Sequence, residues 1–226
     1  MWNNMHIVDR ERCCKCGRCA DVCPSGAIES CARFMAIDDI ITQVKKDICF
    51  YGKKGGLTLS GGEPLAQPEA TLAVLRAAHE SGVHTVIETC GYFDESYISE
   101  LAALTDLFLF DYKHTDAARH MEYTGVSQER ILANLQRLNK LKARIRLRCI
   151  MVADVNMDEC HIRGISAQYH ALQNCEGVEL LPYHTFGNSK ASMLGRKQND
   201  NSSWIPSEEK MLSVRRELRK NGVKVL

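Results

Sequence analysis

At 226 residues the chain is long enough to bury a full core, as one large domain or as one domain with a small appendage. With 45% apolar residues, 25% charged residues and a formal charge of +1, its composition is that of an ordinary globular protein, with no global pull toward nucleic acid or a membrane surface. The opening MWNNMHIVDRERC lacks the apolar core of a signal peptide, and no run approaches the roughly 18 apolar residues of a membrane span, so the expected compartment is the cytoplasm.

The first feature in chain order is a run of cysteines. CCKCGRCADVCP places Cys13, Cys16, Cys19 and Cys23 in the spacing C-x2-C-x2-C-x3-C with Pro24 directly after, the bacterial ferredoxin pattern for a thiolate-held 4Fe-4S cluster. The fourth cysteine of such a run commonly serves a second cluster, and one run is present. Either all four ligands are local to one cluster, or the partner half lies outside the chain. Eleven cysteines, an odd count in a long chain without a signal peptide, argue against a disulfide framework. Cys14 reads as a spectator thiol, and Cys31, Cys49, Cys90, Cys149, Cys160 and Cys175 read as small buried hydrophobes. Residues 1–33 are thus expected to be organised by metal rather than by an apolar core.

Residues 34–226 have a different rhythm. From Leu57 onward, short apolar runs alternate with longer helical patterns: LTLS then PEATLAVLRAAHES, TVIE then DESYISELAAL, LFLFD then SQERILANLQRLNKL, RIRLRCIMV then Asp158–Leu172, and VELLPYH then, after a loop, SEEKMLSVRRELRKNG. This alternation predicts an α/β fold with a parallel sheet and crossover helices. Pro68 and Gly82 bracket one helix, Ser127 caps another, and Asn221-Gly222 closes the last.

The residues that follow each predicted strand carry the chemistry. LTLS runs into Gly61, Gly62 and Glu63; TVI into Glu88, Thr89 and Gly91; LFLF into Asp111 and Lys113; RIRL into Arg148; VELLPY into His184. Parallel strands deliver their carboxyl ends to one face, where ligands bind. Taken singly, Asp111 could be a helix cap, Lys113 a solvated charge, His184 a satisfied core histidine, and Glu63 the partner of a surface lysine. Taken as a set, they argue for one binding rim.

At LTLSGGEP, joined to the cysteine run before it and to ETCG, DYKHTD and ELLPYHTFGNSK after it, the sequence resembles the activating enzymes of glycyl radical enzymes, of the pyruvate formate-lyase activating type, in the radical S-adenosylmethionine superfamily. The resemblance covers nearly the whole chain. It implies an incomplete radical-SAM-type (β/α) barrel, residues 34–226, with a small ferredoxin-like iron-sulfur insertion at residues 1–33. It implies that Gly61, Gly62 and Glu63 receive the ammonium of S-adenosylmethionine, that Asp111, Tyr112 and Lys113 lie along its methionine and ribose, and that Arg148 and His184 lie close by. Glu88, Thr89 and Asp111 are the implied holders of a monovalent cation.

By the same resemblance, a reduced 4Fe-4S cluster donates an electron to the sulfonium, and the adenosyl radical takes a hydrogen from a glycine of the partner enzyme. The implied partners are a formate C-acetyltransferase-like glycyl radical enzyme and a flavodoxin or ferredoxin reductant, in anaerobic metabolism. No side chain acts as acid or base. The family holds the cleaving cluster with a separate C-x3-C-x2-C motif, whereas the one C-x3-C pair here is Cys19 and Cys23, and the completing position is Gly26. The expectation is therefore a chain that begins after the first barrel strand and the cluster loop, and that is inactive alone. The alternative is a non-catalytic electron-transfer or binding module. A further departure follows Arg148, where Ala153-Asp154 replaces the family's Pro-Gly turn.

Overall fold

The computed structural model describes residues 8–52, 55–196 and 201–226. Two compact units divide the chain: Met1–Ala36 with Thr185–Asp200, and Ile37–His184 with Asn201–Leu226. Among its described residues the first unit contains two short helices, α1 (Arg18–Asp21) and, late in the chain, Gly187–Met193, and no strand. The sequence reading had assigned 185–200 to the barrel segment.

The second unit is α/β. In chain order it contains α2 (Ile37–Lys46), α3 (Ile48–Tyr51), β1 (Leu57–Leu59), α4 (Pro68–Glu80), β2 (Thr85–Thr89), α5 (Ile98–Leu104), β3 (Leu107–Asp111), α6 (Ala117–Thr124), α7 (Glu129–Lys140), β4 (Ile145–Met151), α8 (Glu159–Ala171), β5 (Cys175–Pro182) and, after the first unit's α9 (Gly187–Met193), α10 (Glu208–Lys220). The five strands form one sheet in the order β1-β2-β3-β4-β5, every pair parallel. That is the sheet and helix pattern of part of a (β/α) barrel.

The two faces of the sheet differ, and the strand period of two explains why. Ile87, Phe108, Phe110, Leu147, Met151, Val178 and Leu180 pack with Leu75 of α4, Leu101 of α5, Leu135 of α7, Ile165 of α8 and Leu218 of α10 in a single core. Each fully buried side chain of this size contributes about 1.5–3 kcal/mol. The intervening residues, Glu88, Leu109, Asp111, Arg146, Arg148 and Glu179, are only partly buried and share the opposite face.

Local signals account for the helix ends. Asp158 Oδ1 accepts from His161 N at 2.9 Å to start α8, and Ser207 Oγ accepts from Lys210 N at 3.2 Å to start α10. The N-cap of α7 is Gln128 rather than Ser127, whose Oγ accepts from Glu129 N at 3.2 Å within the turn that precedes the helix. Helix α6 lay in an interval not read as helical. It has both of its stops: Asp116 Oδ1 accepts from Arg119 N at 2.8 Å, and Gly125, at φ 77°, ends it. Asp154 adopts φ 61°, so the left-handed turn after β4 survives without glycine. The expectation that the six scattered cysteines are buried fails for Cys31, Cys49 and Cys160, which are exposed; only Cys149 is fully buried. Cys31 precedes α2 in a stretch without regular structure, and Cys160 lies on the solvent side of α8.

Candidate functional site

The register assembles the site. Glu88 pairs with Leu109, and two residues further on Asp111 pairs with Arg148, which pairs with Glu179. An even offset keeps all four polar side chains on one face, so β2, β3, β4 and β5 contribute one charged row. Arg148 is its centre. Its side chain is 17% exposed, Nη1 lies against Glu88 Oε1 as an ion pair, and Nε stands 3.6 Å from Glu179 Oε2. Neither nitrogen is aligned for a hydrogen bond, although both are buried. Arg148 ties the carboxylates of β2 and β5 together across the row. Ser60 Oγ donates to Glu88 Oε2 at 3.0 Å, bringing the end of β1 into the same row.

Beyond β1 the chain passes through Gly61 at φ 123°, a conformation suited to glycine, and Gly62. A Cβ added at either would meet no atom within 4 Å, so both glycines present bare backbone to open space. A cavity of about 440 Å³ opens beside Gly62 and Glu63. The Glu63 carboxylate holds the loops together: Oε1 accepts from Thr89 Oγ1 at 2.9 Å and Leu65 N at 3.2 Å, and Oε2 accepts from Cys90 N at 2.8 Å. Three of its roughly four acceptor positions are filled from within the protein, which leaves one for a ligand donor. Thr89 and the backbone are its partners, not a surface lysine.

Lys113 Nζ lies 3.2 Å from Asp111 Oδ2. Burial pushes the Asp111 carboxyl above its ordinary range, opposed by Lys113 and Arg148. Burial and the nearby Glu63 push the Cys90 thiol up to about 11, so it stays protonated and unreactive at neutral pH. Tyr112 packs inward: it is 6% exposed, its hydroxyl stands 3.4 Å from Thr115 Oγ1, and its ring stacks 6.1 Å from that of His161. Only its backbone faces the neighbouring residues of the row. His184 is exposed at the end of β5, two residues beyond Pro182. All three implied cation holders are engaged by protein groups: Glu88 by Arg148 and Ser60, Thr89 by Glu63 and Gly91 N at 3.0 Å, and Asp111 by Lys113 Nζ at 3.2 Å.

In the first unit, Cys13 and Cys23 are half-buried, and Cys16 and Cys19 are exposed. Among the described residues no group of three or more His, Cys, Asp or Glu side chains stands in a metal-holding arrangement. The donor set nevertheless suits thiolate ligation. Lys15 N donates to Cys13 Sγ and Ile28 N to Cys23 Sγ, each at 3.4 Å. A backbone bond from Arg18 lowers the Cys16 thiol pKa, and one from Ile28, aided by Ser25, lowers that of Cys23. Amides aimed at sulfur favour the charged form that binds iron.

Three participants escaped the sequence reading. Glu179 was quoted but not assigned as a partner of Arg148; its offset of two from Leu181 along β5 was the available signal. Ser60, between β1 and the glycines, has no assigned role in the sequence pattern yet donates to Glu88. Asn134, fully buried on α7, donates to Gly91 O at 3.0 Å and Phe93 O at 2.9 Å, holding the loop after β2; no local pattern announces that contact.

Comparison with known proteins points the same way. The pattern of the Radical SAM superfamily matches residues 13–162. The chain is 41% identical over 176 residues to the choline trimethylamine-lyase activating enzyme of Oleidesulfovibrio alaskensis, covering 76% of this chain and 57% of that protein. It is 33% identical to the trans-4-hydroxy-L-proline dehydratase activating enzyme of Clostridioides difficile, covering 93% of this chain and 80% of that protein. Against the isethionate sulfite-lyase activating enzyme of Nitratidesulfovibrio vulgaris it is 38% identical, covering 84% of this chain and 62% of that protein. It thus spans less than two thirds of the length of two of these three relatives. Among solved structures, a domain of pyruvate-formate lyase-activating enzyme from Bacteroides vulgatus superposes with a TM-score of 0.63 at 27% identity, over 76% of this chain and 97% of that one.

Proposed function

The chain belongs to the radical S-adenosylmethionine superfamily, among the activating enzymes of glycyl radical enzymes, and on that premise we propose that its strand-end rim binds S-adenosylmethionine in the activation of a glycyl radical enzyme. The observation that carries this reading is the charged row centred on Arg148, with the bare backbone of Gly61 and Gly62 beside it. The methionine end of the ligand is a zwitterion next to a sulfonium. Glu63 keeps one acceptor position for its ammonium, the partly exposed Lys113 ammonium suits its carboxylate or ribose oxygens, and Arg148 holds the row beneath them in place. Asp111, already disfavoured as an anion by burial, gains from a cationic neighbour. His184 stands at the last strand end to close the nucleotide side.

When bound, a reduced 4Fe-4S cluster and S-adenosylmethionine supply one-electron cleavage of a carbon-sulfur bond and hydrogen-atom abstraction from a glycine of the partner. Cys13, Cys16, Cys19 and Cys23 would hold a ferredoxin-type cluster that passes electrons from a flavodoxin or ferredoxin. The work of the chain's own residues is to bind, to orient and to exclude water. Among the described residues no helix is long and apolar enough to cross a membrane.

Residues 1–226 contain no C-x3-C-x2-C motif, which motivates a second reading of the isolated chain as a binding module without cleavage activity. One experiment addresses both readings. Calorimetric titration of the anaerobically reconstituted chain with S-adenosylmethionine should give saturable binding, and incubation with reductant should give no 5′-deoxyadenosine. Absence of binding would refute the rim reading, and robust 5′-deoxyadenosine would show that the cysteine ligands are wrongly assigned.

A further inference from the structure

The last ladder bond between β3 and β4 runs from Tyr112 N to Arg148 O at 2.8 Å. Beyond it the chain leaves the sheet at Lys113, and the neighbouring strand turns through Val152–Asn156 into α8. The Asn156 side chain joins the two departing loops next to the rim. Asn156 is 3% exposed, and its carboxamide meets three backbone groups: Oδ1 accepts from Val152 N at 2.7 Å, while Nδ2 donates to Ile150 O at 2.7 Å and to Lys113 O at 3.1 Å. The first two bonds close the turn of its own loop. The third reaches 43 residues along the chain to the rim. An amide suits this place because it offers an acceptor and two donors on one planar head; a carboxylate of the same size would face two carbonyl oxygens.

We propose that Asn156 is a positioning residue for the S-adenosylmethionine site, acting through the Lys113 carbonyl to set where the Lys113 ammonium stands above Asp111. This inference rests on the rim reading given above. The ammonium is held 3.2 Å from Asp111 Oδ2 and is only partly covered, so its position depends on the backbone from which it springs. Arg119 Nη1, from α6, donates to Val155 O at 3.1 Å and His114 Nε2 stands 3.5 Å from the same carbonyl, but neither meets the Lys113 backbone. A purely structural asparagine would hold the turn and affect every property alike. A positioning asparagine affects ligand binding only while Lys113 is there to be positioned.

A double-mutant cycle on the reconstituted chain separates these roles. S-adenosylmethionine affinity is measured by calorimetry for the wild type, Asn156→Asp, Lys113→Met and the pair, and thermal unfolding is followed for each. Asn156→Asp should weaken binding about tenfold in the wild-type background and less than about twofold beside Lys113→Met, while the melting temperature falls alike in both. Equal loss of affinity in both backgrounds, or full affinity in Asn156→Asp, overturns the proposal. Should Asn156→Asp fail to fold, hydrogen exchange in the wild type decides: saturating ligand should slow exchange of the Val152 amide, and unchanged exchange overturns the link. A wild type that binds no ligand refutes the rim reading itself, and this inference with it, an outcome distinct from a wild type and an Asn156→Asp variant that bind equally.

Discussion

Mild acid should loosen the protein through His161. The side chain is 1% exposed, and its ring lies 4.8 Å from that of His114 and 6.1 Å from that of Tyr112. Thr115 N donates to Nδ1 at 3.1 Å, so Nδ1 is the acceptor and the neutral ring carries its proton on Nε2, which has no partner among the described residues. Burial, with the adjacent His114, pushes the pKa from 6.5 down to about 4; Asp158 opposes the shift weakly. A base whose folded pKa is depressed stabilises the fold above its unfolded pKa and loses that contribution as pH falls toward the folded value, because only the unfolded chain takes up the proton. Between pH 7 and pH 5 the loss from this group is about 2 kcal/mol, approaching about 3 kcal/mol near pH 4. Asp158, whose carboxyl is held below its usual range by the bond from His161 N, stays ionised through this window. Protonation would place an N–H against the Thr115 amide and release the loop behind Lys113. Urea unfolding at both pH values, for the wild type and His161→Gln, provides the check. The wild type should lose about 2 kcal/mol and the variant less than about 0.5 kcal/mol. Equal losses in the two proteins would refute the reasoning.

Gly91→Ala should destabilise the second unit by about 2–4 kcal/mol, because Gly91 sits at φ 78° and an added Cβ would come within 2.2 Å of Phe110 Cζ; a thermal scan should show a drop of about 5–10 °C. Glu63→Gln turns an acceptor into a donor opposite Thr89 Oγ1 or Cys90 N, so it should cost about 1–3 kcal/mol in denaturant titrations and weaken S-adenosylmethionine binding in parallel. Cys16→Ser or Cys19→Ser should abolish iron binding and visible absorbance after reconstitution, whereas Cys14→Ser should retain about four irons per chain.

Much of the fold was legible because it is written in local periods. LFLFD and RIRLRCIMV match β3 and β4 to within a residue at each end, and Asp158 caps α8 where the pattern put it. The rim residues were legible because parallel strands leave no choice about which end meets the ligand. What the sequence concealed is contact between distant segments. Asn156 to Lys113, Thr115 to His161 and Glu63 to Cys90 join loops separated by 43, 46 and 27 residues, and none has a spacing rule. Tyr112 shows the opposite error: between Asp111 and Lys113 it shares their motif, but the alternation along the chain turns its ring into the core.

The sequential sheet also bears on how the protein is made. Within the described sheet each strand after β1 pairs with the strand made just before it, so the sheet extends at one edge without a search through alternative pairings. The groups proposed to bind S-adenosylmethionine mature in the same order, Glu63 first and His184 last. On that proposal a half-translated chain holds an unfinished cradle, and nucleotide capture waits until β5 has joined.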